Sequence, residues 1–204
     1  MFYSLKQATT KLLQPLLKFL MNFHPDTLTA ASFIFSLCSG LCFLLSTIPG
    51  LLILAIPFIL LRMAMNVLDG MLARQKGIFG PKGEAFSEMT DRFSDLALLL
   101  GITFSGYTDK ILGLSATISV LIVSYIGILA KAVGANRQFG GFMGKVDRMV
   151  YMILAAIIQF IVIRLKITLP IFNLLMAFFI FGSIVTFIQR AFSINKELDR
   201  KGRA

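Results

Sequence analysis

The sequence predicts an all-α integral membrane protein with six transmembrane helices, preceded by an N-terminal amphipathic helix at the membrane interface. Three observations predict this fold. The chain of 204 residues is 57% hydrophobic and only 15% charged, which is more apolar surface than one soluble core buries. Its apolar residues form runs of about 20 residues, the length of a helix that crosses a ~30 Å hydrocarbon layer. The loops between them are short, which predicts a single membrane domain.

The interfacial helix is predicted over residues 1–23, where leucines and phenylalanines are interleaved with lysines. A soluble helix packed on the domain is the alternative. Residues 24–192 form the predicted six-helix bundle, and 193–204 form a polar cytoplasmic tail. The six spans are 27–47, 51–73, 83–104, 111–133, 146–163 and 169–192. The first half of the third span is too polar to pass a hydropathy test. We include this span because, without it, the number of membrane crossings would not agree with the predicted topology.

Positive charge is concentrated on one side of this topology. One set of loops and termini holds most lysines and arginines, whereas the other holds only Lys110, Arg164 and Lys166. The positive-inside rule therefore predicts a multi-pass protein of the inner (cytoplasmic) membrane, with both termini and loop 75–82 in the cytoplasm. The net charge of +10 fits a rim that faces the anionic lipid bilayer. No basic stripe with interleaved aromatics indicates a nucleic-acid partner.

Five of the ten acidic residues lie in segment 66–95, between apolar runs. Carboxylates at the edge of a hydrocarbon layer are costly unless they bind something. Asn66 and Asp69 are three residues apart and share a helix face. The third span carries a stripe at i, i+4, i+7 and i+11, formed by Glu84, Glu88, Asp91 and Asp95. Two facing helices with such side chains predict a site for a divalent cation such as Mg²⁺. A proton or cation pathway in a small transporter is the alternative.

The spacing within this segment resembles a known signature. Asp69-Gly70-x2-Ala73-Arg74-x8-Gly83, followed by Asp91, is similar to the motif D-x2-D-G-x2-A-R-x8-G-x3-D-x3-D of the CDP-alcohol phosphotransferase (CDP-alcohol phosphatidyltransferase) family. The variant pattern resembles an uncharacterised bacterial branch. The sequence HPDTLT at 24–29 is similar to that family's entry to the first span.

The resemblance implies a membrane transferase of phospholipid biosynthesis. Such an enzyme moves a phosphatidyl (phosphoalcohol) group from CDP-diacylglycerol to a hydroxyl acceptor and releases CMP, using Mg²⁺ or Mn²⁺. Relatives are commonly homodimers, so a homodimer is expected. The acceptor alcohol stays open.

Two positions depart from the signature. Asn66 stands at its first Asp and Ser87 at its third. Their oxygens are weaker ligands than a carboxylate, so Glu88 is the best candidate to replace a missing carboxylate. A register one turn later, with Ser87, Asp91 and Asp95 at the signature's Gly, third Asp and fourth Asp, is the alternative. A member of the fold that binds metal and nucleotide but has lost turnover is therefore a second function class, beside the transporter.

The resemblance also implies roles for single residues. Asp69 and Asp91 would hold the metal with Asn66, Glu88 and Ser87, and Asp91 would accept the proton of the attacking hydroxyl. The CDP moiety would lie against Gly70, Ala73, Arg74, Gly83 and Thr29. For Gly70 and Ala73, close helix packing is the alternative. For Thr29, it is a helix cap.

Depth and charge predict two further groups. Arg62 lies twelve residues before Arg74, and Asp95 twelve after Gly83, so both should lie about 18 Å from the cytoplasmic ends of their helices. We expect them to form a structural ion pair. A glycine-rich stretch with cations follows the fourth span, and Arg137, Lys145 and Arg148 there are candidates for binding an anionic acceptor or a lipid phosphate. Plain head-group contact is the alternative.

Overall fold

The computed structural model describes residues 13–78, 80–138 and 140–201. Within these ranges the protein is helical, without strands. Six long helices follow one another as α1 (Pro25–Leu44), α2 (Gly50–Gln75), α3 (Pro81–Thr103), α4 (Lys110–Ala132), α5 (Lys145–Arg164) and α6 (Ile171–Lys201). Each covers one predicted span. The prediction of an all-α membrane fold is therefore confirmed at the level of helical architecture.

Five of the six helices are long and apolar enough to cross a membrane, which indicates a multi-pass membrane protein. The exception among the described helices is α3, because its first half carries the acidic stripe. The end of α6 differs from the prediction. This helix continues past residue 192 to Lys201, because Ala191, Ile194 and Leu198 extend its apolar face and pack near the end of α4.

The predicted interfacial helix lies partly outside the described residues, which begin at residue 13. In the described part, the segment forms a 3-10 turn at Gln14–Leu16, followed by a single helical turn at Leu17–Leu20. Pro15 lacks the backbone donor that a continuous α-helix needs. Leu17 is buried against a cluster from α1 and α2 that includes Leu28 and Leu68. This part of the segment therefore packs on the bundle.

Local signals start the helices that form the functional end of the bundle. Pro25 and Pro81 lie in the first turns of α1 and α3, where proline costs no hydrogen bond. The backbone of Gly144 donates to Asp147 Oδ2 at 2.8 Å, which caps α5. These starts bring three helix ends to the same side as the end of α2.

The helices α1 and α3 approach each other closely at two glycines. A Cβ atom placed on Gly101 would overlap the backbone carbonyl of Gly40, and one placed on Gly40 would overlap the carbonyl of Ala97. The backbones therefore touch at these glycines, as small residues allow in membrane helices. Beside this contact lies the apolar core, in which Phe43, Leu98 and other residues of all six helices pack together. The pairing positions the acidic face of α3 beside α2.

We expect Gly101→Ala to destabilise the protein by about 1–3 kcal/mol, because the added methyl group must push two backbones apart. The measurement is thermal unfolding of the purified protein in detergent. Gly50→Ala is the matched control, since its Cβ meets no atom within 4 Å. An unchanged melting temperature for Gly101→Ala would show that the helices do not touch there.

Candidate functional site

A cavity of about 1220 Å³ opens where α2 ends and α1, α3 and α5 begin. The predicted metal, nucleotide and acceptor residues all line it. They are Thr29, Asn66, Asp69, Gly70, Ala73, Arg74, Gly83, Ser87, Glu88, Asp91, Arg137, Lys145 and Arg148. Its volume exceeds that of an ordinary drug-sized pocket, so it has room for a nucleotide and a second substrate together.

Two buried carboxylates face the cavity from neighbouring helices. Asp69 of α2 and Asp91 of α3 are 6% and 7% exposed. The hydroxyl of Thr29 on α1 donates to Asp69 Oδ2 at 2.7 Å. Thr29 therefore bridges two helices inside the cavity, and its side chain is more than a local helix cap.

Asp91 is held by a lysine and an amide. Lys145 of α5 forms an ion pair with Asp91 and donates to Asn66 Oδ1 at 2.8 Å. The Asn66 Nδ2 group donates to Asp91 Oδ1 at 2.9 Å. Asn66 thus uses both ends of its amide, one toward the carboxylate and one toward the ammonium group. Three helices, α2, α3 and α5, meet in this hydrogen-bonded triangle.

The two remaining glutamates of the stripe, Glu84 and Glu88, face cations at the cavity rim. Glu88 pairs with Arg137 and lies 3.8 Å from Arg92, and Glu84 accepts from Lys131 at 2.5 Å. Burial lowers the pKa of the Arg137 guanidinium, and the negative charge of Glu84 partly offsets this by raising the same pKa. Glu88 is therefore directed toward guanidinium groups, and the structure does not bring it to Asp69 and Asp91.

Two predicted nucleotide contacts offer open backbone. A Cβ placed on Gly70 would meet no atom within 4 Å, and one on Gly83 would meet only Asp26 Oδ1, at 3.9 Å. Neither glycine serves close helix packing, in contrast to the pair in the α1 and α3 contact. Their backbones, with half-buried Ala73 beside them, are accessible to a ligand that enters the cavity.

The donor set fits a single divalent cation. Among the residues that the structure describes, no three His, Cys, Asp or Glu side chains converge as a metal cluster. Asp69 and Asp91 nevertheless offer the carboxylate oxygens that Mg²⁺ takes when substrate phosphates and water complete its shell, whereas the predicted ligand Asn66 has its Oδ1 bonded to Lys145. Half-buried Ser87 adds only a hydroxyl. The four carboxylates of the signature are reduced to two here.

Deeper than the cavity floor lies a buried ion triad. Arg62 of α2 donates to Asp95 Oδ1 at 2.7 Å, and Arg148 of α5 donates to Asp95 Oδ2 at 2.9 Å. Arg62 and Asp95 are each 1% exposed. The contact between Arg62 and Asp95 is the one that the depth argument predicts. Arg148, predicted as an acceptor ligand, is committed to Asp95 by this second bond.

Arg190 lines the cavity and is a polar residue that the sequence prediction does not single out. Arg190 of α6 is buried and donates to the carbonyls of Gly140 at 2.9 Å and Val123 at 2.6 Å. It ties the loop before α5 to α4. The sequence places Arg190 at the edge of a charged tail, although the apolar spacing of 191, 194 and 198 indicates that the helix continues around it.

Comparisons with known proteins identify a matching family and several relatives. The sequence profile of the CDP-alcohol phosphatidyltransferase family matches residues 22–193. Inner membrane protein YnbA of Escherichia coli is 33% identical over 149 residues, or 72% of this chain and 74% of YnbA. An archaetidylinositol phosphate synthase of Pyrococcus horikoshii is 26% identical over 181 residues, covering 88% of this chain and 87% of that one.

Solved structures share the fold. The Mycobacterium tuberculosis phosphatidylinositol phosphate synthase PgsA1 with CDP-DAG bound has a TM-score of 0.69 and 23% identity, over 92% of this chain and 94% of PgsA1. PgsA1 in complex with manganese and citrate also has a TM-score of 0.69, over 91% of this chain and 88% of that one. These likenesses establish the architecture in which the cavity residues sit.

We expect Asp95→Asn to cost about 3–5 kcal/mol in unfolding free energy, because two buried arginines lose their shared counter-charge. Thermal or denaturant unfolding in detergent measures the effect. Asp91→Asn is the matched control one turn away on α3, since its partner Lys145 is 27% exposed and can turn toward the cavity. Equal losses for the two variants would contradict a structural role specific to Asp95.

Proposed function

Because the chain belongs to the CDP-alcohol phosphatidyltransferase family, a class of transferases of phospholipid biosynthesis, we propose that it uses CDP-diacylglycerol as donor. The phosphatidyl group would pass to the hydroxyl of an alcohol acceptor, and CMP would be released. The observation that carries this proposal is that Asp69, Asp91 and the open backbone of Gly70 line the same cavity. The CDP-DAG complex of PgsA1, a protein of the same fold, supports the choice of donor.

The cytidine diphosphate fits the α2 side of the cavity. We place it against Gly70, Ala73 and Gly83, where a backbone without bulky side chains admits close approach. Arg74 at the end of α2 would contact a phosphate through its guanidinium group. Thr29 keeps the Asp69 carboxylate oriented beneath this position.

A divalent cation, Mg²⁺ or Mn²⁺, would be held by Asp69 and by Asp91 Oδ2, because Lys145 already contacts Asp91 Oδ1 and Asn66 Oδ1. When bound, it supplies positive charge that neutralises the donor's pyrophosphate. The manganese complex of PgsA1 supports a divalent ion at this fold. Glu88 and Ser87 have weaker claims as ligands, because Glu88 pairs with guanidinium groups and Ser87 has only a hydroxyl.

The transfer step uses Asp91 as general base. The acceptor oxygen forms a bond to the phosphorus of the phosphatidyl group, and the bond from that phosphorus to the bridging pyrophosphate oxygen breaks. CMP leaves with the electron pair, and the acceptor proton passes to Asp91. Lys145 and Asn66 fix the carboxylate on the α3 side of the cavity, where the acceptor would enter.

The acceptor would lie on the cationic side, toward Arg137 and Lys145. Both are partly exposed and line the cavity, so they suit an acceptor with an anionic group. Arg148 would act on the acceptor mainly through the electrostatic field of its positive charge, since its guanidinium group is bonded to Asp95. The archaeal relative is named an archaetidylinositol phosphate synthase and PgsA1 a phosphatidylinositol phosphate synthase, and both names fit a phosphorylated polyol as acceptor.

We place the protein in the inner membrane with six spans, α3 included, and with both termini in the cytoplasm. The cavity then opens to the cytosol, where nucleotide-linked donors are available. The excess of Lys and Arg on that rim supports this orientation. A homodimer would suit the exposed apolar outer face, which lipid also covers.

A second candidate function is binding of nucleotide and metal without turnover. The specific observation in its favour is that Asn66 and Ser87 replace two carboxylates, while Lys145 occupies the surroundings of Asp91. Purified protein supplied with labelled CDP-diacylglycerol, Mg²⁺ or Mn²⁺ and a panel of polar alcohols separates the two. CMP release supports the transferase, whereas nucleotide binding without CMP from any acceptor supports the second candidate.

Asp91→Asn should lower CMP release by roughly 10²–10⁴-fold, because the amide cannot accept the acceptor's proton. Initial rates at saturating donor measure the loss. Asp109→Asn is the control, since Asp109 caps α4 at the other end of the bundle and asparagine also caps helices. Turnover that persists in Asp91→Asn would exclude Asp91 as the base.

Gly70→Ala should raise the KM for CDP-diacylglycerol by roughly tenfold to a hundredfold, because a methyl group displaces the donor from the helix backbone. Stability should not fall, since the added Cβ meets no protein atom within 4 Å. KM and melting temperature are measured side by side, with Gly50→Ala as the control. An unchanged KM would place the donor elsewhere in the cavity.

A further inference from the structure

We propose that the Lys145 ammonium group occupies the place of a second divalent cation, so that this site binds one metal ion per chain. The inference rests on the proposed function in one respect, namely that a divalent ion binds at Asp69 and Asp91. It adds that a fixed cation of the protein supplies the remaining positive charge. The geometry around Asn66 points to this arrangement.

The ammonium group lies where a second cation would have to bind. Such an ion would need the oxygens of Asp91 and Asn66 that face the cavity. Lys145 Nζ contacts both, forming an ion pair with Asp91 Oδ1 and a 2.8 Å hydrogen bond with Asn66 Oδ1. A metal and an ammonium group cannot share these oxygens, because their charges repel at such short range.

The side chain at position 66 fits a lysine better than a metal. Its Nδ2 group donates to Asp91 Oδ1 at 2.9 Å, which an aspartate at this position could not do. An aspartate there would add a negative charge beside Asp91, and a bridging cation would be needed to hold the two carboxylates together. The amide removes that need.

One divalent ion beside Asp69, Asp91 and Lys145 brings the formal charge of these groups to +1, and a second ion would bring it to +3. Paired metals, about 3.5–4 Å apart, suit sites rich in carboxylates. Here Asp69 and Asp91 are the two carboxylates, and Ser87 adds no charge. The ammonium group of Lys145 already offsets one of these charges, and it lies close enough to Asp69 to interact with that carboxylate too. A second divalent ion would leave a large positive excess in a buried site.

The lysine is also held in position by its helix. Lys145 is the first residue of α5, and the cap between Gly144 and Asp147 fixes that terminus. About one helical turn later, Arg148 donates a hydrogen bond to Asp95 of α3 at 2.9 Å. The start of α5 is therefore anchored to α3, and the Lys145 side chain reaches Asp91 from a rigid base.

Mn²⁺ binding to the purified full chain in detergent tests the proposal, with free Mn²⁺ counted by electron paramagnetic resonance. We expect one Mn²⁺ per chain for the unmodified protein. Lys145→Met should tighten Mn²⁺ binding roughly tenfold or more, because a nearby positive charge is removed. Lys131→Met is the matched control, since that lysine pairs with Glu84 at the rim and is 58% exposed. It should leave the affinity unchanged.

Two Mn²⁺ ions per chain, or none, in the unmodified protein would overturn the proposal, as would unchanged affinity in folded Lys145→Met. The variant Lys145→Met/Asn66→Asp/Ser87→Asp, checked for folding by size-exclusion chromatography, should bind two ions. A single ion in that variant would also count against the proposal.

CMP release by the unmodified protein is measured in parallel. CMP release with two ions per chain rejects this inference alone, whereas one ion and no CMP from any acceptor rejects the proposed turnover alone.

Discussion

The shared carboxylate of Asp95 is the interaction on which the rest of the site depends. It accepts from Arg62 of α2 and Arg148 of α5 while belonging to α3, so one side chain joins three helices inside the membrane domain. Separated, these charges would each be expensive to bury. The triad sets the depth of the three helices relative to one another. Asp69, Asp91 and Lys145 lie closer to the helix ends on these same elements, and their alignment in the cavity follows from it.

Above the triad, the cavity pairs each buried carboxylate with a different partner. Asp69 accepts from an uncharged hydroxyl, whereas Asp91 is paired with an ammonium group and bonded by an amide. The two carboxylates are therefore not equivalent before any ligand arrives. Asp69 keeps more of its negative charge available to a cation, and Asp91 is already partly neutralised. This asymmetry supports the proposed arrangement, with the donor at α2 and the acceptor at α3 and α5.

Much of the fold and site follows from the sequence, because both depend on local patterns. Apolar run lengths predict five of the six helices, and the parity of the topology predicts the third. The spacing of Asp69, Gly70, Arg74 and Gly83 identifies the family. The contact of Arg62 with Asp95 follows from equal depth. The pairing of Lys145 with Asp91 could not be predicted, because it joins helices distant in sequence and depends on how α5 packs. Arg190 was hidden for a related reason, since its carbonyl partners lie in loops and on α4. From residue 13 onward, Pro15 also interrupts the continuous helix that the amphipathic pattern predicts.

The touching backbones of Gly40 and Gly101 have a consequence for how the protein enters the membrane. A helix with as many charges as α3 is poorly inserted by the translocon on its own. Because the glycines carry no side chains, α3 can pack directly on α1 without side chains or lipid between the two backbones. Arg62 of α2 provides the counter-charge for Asp95 of α3. In the proposed six-span topology, insertion of α3 would therefore be cooperative, with the first two helices as the surface that receives it.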